Sequence, residues 1–222
     1  MQNSILTGYF GSYEHFNTLS KKEASILTSA DCLVGDRFSI VFETDERGTH
    51  AWMRNRFGAL VGFFDLETSR QLQIFHARGW NMVALLSFVA YSDTPDPGEY
   101  WGEAAVICYD PSRSQEAFEH FIDAVGKMME DSIRPDVALG ADGVSHVVES
   151  NGSWLPNARV PMPEKETGMA VLKRRRKISE NLIEQGRAGN IGCYAISWIF
   201  IALVVIAILA AVFFGLHYAG LF

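Results

Sequence analysis

From Ala188 to Phe222 the chain has no Asp, Glu, Lys or Arg. A run of that length without a charge is poorly suited to a water-facing surface, and its apolar heart is Tyr194 to Leu216. Those twenty-three residues, at ~1.5 Å per residue, give roughly 34 Å against a hydrocarbon core of about 30 Å. The run predicts a single C-terminal membrane span. Cysteine is also scarce. Cys32, Cys108 and Cys193 are odd in number and form no C-x-x-C pair, which excludes a disulfide framework and a structural zinc site and suits a reducing compartment. The chain lacks a Gly-x-Ser-x-Gly turn and a phosphate-cradling glycine loop, so neither a nucleophile-elbow hydrolase nor a nucleotide-cleaving site is indicated. Met1 to Phe16 contain no basic stretch followed by a continuous apolar one, so no cleaved signal peptide is expected.

Charge is present but divided. Residues 1–170 carry 13 Lys and Arg against 24 Asp and Glu, a net −11, whereas residues 171–222 carry 6 against 2, a net +4. Lys173, Arg174, Arg175, Arg176, Lys177 and Arg187 lie before the apolar run, and no Lys or Arg follows it. The positive-inside bias then puts the N-terminal region in the cytoplasm and makes the chain a single-pass, tail-anchored membrane protein. These six cations are the expected contacts with the anionic cytoplasmic leaflet, while the acidic domain stands off it. Three regions follow: a soluble domain over 1–155, a Pro-containing linker and basic juxtamembrane helix over 156–190, and the anchor over 191–222. The helix is expected between Ala170 and Gln185.

Within 1–155 the patterning is α+β. Strands are expected at Ser4–Phe10, Arg37–Thr44, His50–Arg54, Ala59–Phe64, Asn81–Tyr91 and Ala104–Tyr109, the Asp45-Glu-Arg-Gly48 segment serving as a hairpin turn. Ser20-Lys-Lys-Glu23 has the pattern of a capping box. Asp65 is placed to cap a helix that ends at Gly79, and Asp110-Pro111 to open another whose stripe is Phe118, Phe121, Ile122, Val125, Met128 and Met129. Gly143 to Leu155 reads as a small hairpin turning at Asn151-Gly152. The predicted fold is a small barrel-like, mostly antiparallel sheet with two packed helices, plus the C-terminal transmembrane helix.

Chemistry is sparsely marked. His15, His50, His76, His120 and His146 are dispersed without i, i+4 pairing, so no metal site, cofactor or catalytic residue is expected. In Thr49-His-Ala-Trp-Met-Arg-Asn-Arg56, strand alternation puts His50, Trp52, Arg54 and Arg56 on one face, opposite Ala51 and Met53. An aromatic ring flanked by guanidinium groups is how barrel folds stack bases and hold phosphates. The same residues would also arise if Trp52 packed under a helix and the arginines paired with carboxylates.

The order of a Gly-containing first strand (Ile5–Phe10), Gly35-Asp-Arg-Phe38 opening a second, Ala59-Leu-Val-Gly-Phe-Phe64 running into a helix over Asp65–Arg78, then Gly79 and a long strand resembles the HIRAN domain over residues 4–109. That resemblance implies a small β-barrel with an inserted helix that recognises single-stranded DNA ends. Three functional readings therefore stand side by side: an adaptor domain tethered at a membrane and binding a protein partner, a tethered single-stranded nucleic-acid-binding module, and an enzyme whose site is assembled from distant residues.

Overall fold

The computed structural model describes residues 6–46, 48–94, 96–164, 167–187 and 198–206. They belong to two units, Met1–Arg176 and Lys177–Phe222. In the first unit the elements run β1 (Tyr9–Asn17), α1 (Lys21–Thr28), β2 (Arg37–Asp45), β3 (Gly48–Arg54), β4 (Leu60–Phe64), α2 (Leu66–Ala77), β5 (Asn81–Ser92), β6 (Glu99–Tyr109), α3 (Gln115–Glu130), α4 (Ala141–Glu149) and β7 (Met169–Lys173). The second contains α5 (Ile178–Arg187) and a helical stretch over 198–206.

The first unit is an α+β domain built on a six-stranded antiparallel barrel. Its strand order is β2-β3-β4-β1-β6-β5, and pairing of Arg37–Ser39 with Val83–Leu85 closes the ring. β5 spends its length on two partners along one edge: its first half meets β2, and its last residues, Val89 to Ser92, meet β7. A register shift between Leu86 and Phe88 separates the two halves.

The ring is incomplete between β3 and β1, because β4 is short and pairs with β1 only at Phe16 and Asn17. Helix α2 fills the opening. Asp65 caps it by accepting the Thr68 N–H at 2.8 Å, and Ser69, Leu72 and Phe75 form its buried face. Inside the barrel Phe16 lies over two cross-strand glycines: a Cβ at Gly62 would come within 2.6 Å of its ring and one at Gly102 within 2.8 Å. The interior is completed by residues such as Met53, Val61, Phe64, Leu86 and Val106.

A second core lies outside the barrel. Tyr9, Leu85, Ile107 and Tyr109 face Phe118, Phe121, Val125 and Met129 of α3 and Val144 and Val147 of α4. β5 and β6 are therefore covered on both faces, which is why the segment Met82–Tyr91 is almost continuously apolar rather than alternating. The chain after α3 lies against β1 so closely that a Cβ at Gly11 would fall 2.0 Å from the Val137 carbonyl oxygen. The Tyr9 hydroxyl donates to that oxygen at 2.9 Å and the Tyr13 hydroxyl to that of Pro135 at 3.0 Å.

Several expectations are corrected. The first strand begins at Tyr9, after Gly8 turns at φ +70°, and runs in register with β6 to Asn17. Gly143–Leu155 is not a hairpin: its first part is α4, whose apolar Val144 and Val147 lie one turn apart on the second core, and the turn at Asn151-Gly152 closes that helix. Among the described residues, α1 and α4 accompany the sheet besides the two helices expected to pack on it. Asp110 caps a 3-10 turn over Pro111–Arg113, and α3 starts only at Gln115. The compact unit continues past residue 155 to Arg176, because β7 adds to β5. Most of the Tyr194–Leu216 segment lies outside the described residues, and no described helix is long and apolar enough to cross a membrane.

Candidate functional surfaces

The β3 face divides between burial and exposure. The Trp52 ring is packed 5.1 Å from the Phe63 ring and is only 7% exposed, so it offers no open stacking surface. His50 is half-buried, its ring edge-on to Phe63 at 5.2 Å and its Nδ1 3.1 Å from the Phe64 carbonyl oxygen. Ala51 and Met53 on the opposite face are fully buried, so at the centre of β3 both faces are covered. Arg54 is exposed, and its Nε–H donates to the Ser39 hydroxyl at 3.3 Å. Arg56 is beyond the strand, in a turn, with its guanidinium 4.9 Å over the exposed Phe57 ring.

That turn is organised by a residue the sequence reading passed over. Asn55 Oδ1 accepts the backbone N–H groups of Phe57 and Ala59 at 3.0 and 2.9 Å, and its amide points at the Cys32 sulfur at 3.8 Å. Burial pushes the Cys32 thiol up to about 11, partly offset by the Asn55 amide and Lys173. Its signal was an Asn-x-x-Gly turn sequence, which carries no chemistry until the tertiary fold brings Cys32 beside it.

The basic run behaves differently from an exposed juxtamembrane helix. Residues 169–173 form β7, and the helix starts only at Ile178, since backbone groups of this stretch are taken by β5. Lys173 is buried, and its ammonium donates to the carbonyl oxygens of Leu27 at 3.1 Å, Cys32 at 2.6 Å and Ser29. It thereby serves the C-terminal end of α1, which has no basic residue in its last turn. Arg176 Nε donates to the Val34 carbonyl at 2.8 Å, and its guanidinium pairs with Asp36 at 2.7 Å and Glu130 at 3.3 Å. Arg174, Arg175 and Lys177 are exposed.

A further polar cluster lies at the barrel seam. The Tyr109 hydroxyl donates to Glu119, the Asn81 amide donates to Tyr109 at 3.1 Å, and Arg37 pairs with Glu119 at 2.5 Å and Asp123 at 3.0 Å. A cavity of about 310 Å³ opens beside it. Burial, then the bond to Glu119, pushes Tyr109 up to about 12. Burial by itself would raise Glu119, but the Tyr109 hydroxyl and Arg37 outweigh it and leave the carboxyl lowered. A groove of about 870 Å³ runs between the Lys21, Ser25 and Thr28 face of α1 and the Tyr91 and Tyr100 end of the β5–β6 hairpin.

Among the described residues no group of three or more His, Cys, Asp or Glu side chains is arranged to hold a metal ion. No family model, curated protein or solved structure matches the chain.

Proposed function

We propose that this chain is a membrane-tethered, non-catalytic binding module: a rigid acidic barrel domain held in the cytoplasm at a bilayer by its C-terminal segment, where it engages a protein partner. The charge-free run from Ala188 to Phe222, with basic residues only on its N-terminal side, carries the reading. The chemistry of the barrel is in keeping with it. The buried thiols Cys32 and Cys108 and the phenols Tyr9, Tyr13 and Tyr109 are all pushed upward, chiefly by burial, which keeps them protonated and unreactive at neutral pH. Alkaline carbonate extraction of membranes from expressing cells tests the tether. The full chain should stay with the membrane and a chain ending at Arg187 should be released. Release of the full chain would overturn the reading.

A second reading, single-stranded nucleic acid held on the outer face of β3, is favoured by one observation: Arg54, Arg56 and Phe57 are exposed within four residues of one another. Titration with short single-stranded DNA should then show binding that weakens as salt rises. Absence of binding at low salt would remove it.

A further inference from the structure

The chain leaving the barrel alternates between two destinations. Lys173 and Arg176 point inward, the first into the carbonyl oxygens of Leu27, Ser29 and Cys32, the second onto Val34, Asp36 and Glu130. Between these two feet the backbone bends at Arg174 and Arg175. The bend is fastened as well as its ends: the Ser132 hydroxyl donates to the Arg174 carbonyl at 2.8 Å, and the Arg176 N–H donates to the Glu130 carbonyl at 2.9 Å. The side chains of Arg174 and Arg175 are exposed, and neither has an ion-pair partner among the described residues.

Two adjacent guanidinium groups are thus displayed on a backbone that is already fixed. We propose that the Arg174–Arg175 bend is a docking point for the phosphates of anionic lipid headgroups, and that it sets which face of the barrel meets the bilayer. This deepens the membrane-tether reading and rests on it. Guanidinium groups suit phosphate because their forked donors match its oxygens. A pinned backbone loses little further freedom on contact, so more of the attraction is retained as binding.

The lipid is favoured over other phosphates by reach. Ala188, where the charge-free run begins, is twelve residues beyond Arg176, at most roughly 42 Å of extended chain and less because ten of the intervening residues form α5. A tethered bend therefore stays close to headgroups.

The test is amide hydrogen exchange of residues 169–177 in the full chain, incorporated into nanodiscs of phosphatidylcholine alone or with phosphatidylserine. Anionic lipid should slow exchange of this segment by on the order of five-fold, the weight of about one surface cation. The difference should vanish in Arg174→Gln/Arg175→Gln and shrink at high salt. Equal exchange in both nanodiscs, with the protein incorporated, overturns the docking point while leaving the tether intact. Failure of the full chain to incorporate overturns both. Adding millimolar inorganic phosphate to neutral nanodiscs separates the sources: protection equal to that by phosphatidylserine overturns the assignment to lipid.

Discussion

The hydroxyl of Ser69 stands where a neighbouring strand would meet Ala51. Its oxygen accepts the Ala51 N–H at 2.8 Å and its own proton goes to the Phe64 carbonyl at 3.2 Å, so one helical side chain bridges β3 and β4 where they have parted. Without it a fully buried N–H would have no partner in a region from which water is excluded. Ser69→Ala should therefore cost about 1–3 kcal/mol, read from the urea midpoint at unchanged slope. An unchanged midpoint would show that the helix does not complete the barrel.

Lys173 and Arg174 are neighbours with opposite duties. Lys173→Met strips donors from three carbonyl groups and should lower stability by roughly 2 kcal/mol, with faster amide exchange in the last turn of α1. Arg174→Gln should stay within about 0.5 kcal/mol. Equal losses in the two variants would contradict the division between inward and outward cations.

Arg134 is 4% exposed, paired with Glu103, and its guanidinium lies 4.4 Å over the Tyr13 ring. Glu103→Gln removes the opposing charge from a buried cation and should cost about 3 kcal/mol, whereas Glu103→Leu with Arg134→Met should recover part of that loss. A double-mutant cycle in denaturant measures it, and strict additivity would argue against coupling.

On β3, stability and recognition should separate. Trp52→Ala should cost about 3–5 kcal/mol, because it leaves a cavity beside Phe63. Arg54→Gln and Arg56→Gln should leave the thermal midpoint nearly unchanged, and if single-stranded DNA binds they should weaken it. Weakened DNA binding in a fully folded Trp52→Ala protein would instead make the ring a contact.

The raised Tyr109 gives a direction for alkaline behaviour. The folded protein holds this phenol protonated above its ordinary value of 10.0, up to about 12, while the unfolded chain releases the proton earlier. Its contribution is complete below pH 10 and is lost as pH rises through 12. Urea unfolding at stepped alkaline pH should show a shallower decline in Tyr109→Phe than in the parent. Parallel curves would assign the decline to the other buried phenols and thiols.

The elements were legible wherever a local rule governs them. The Ser20–Glu23 capping box is formed, Asp65 caps α2, and the stripe on α3 buries Phe118, Phe121, Ile122, Val125 and Met129. These depend on residues three or four apart. Gly143–Leu155 misled because Asn-Gly is a common hairpin turn, and only α3 packed alongside selects the helix.

Sequence alone determined the division between an acidic α+β domain and a charge-free tail, since charge and apolar length are properties of composition. Tertiary structure decided what no neighbouring residue specifies: that β2 closes onto β5, that α2 completes the ring through Ser69, that Trp52 is covered, and that Lys173 and Arg176 are bonded into the domain while Arg174 and Arg175 stay exposed. The reason is physical. Lys173 is separated from Arg174 by where the register of β7 on β5 sets it down, beside carbonyl groups contributed by a helix and its cap about 145 positions earlier in the chain.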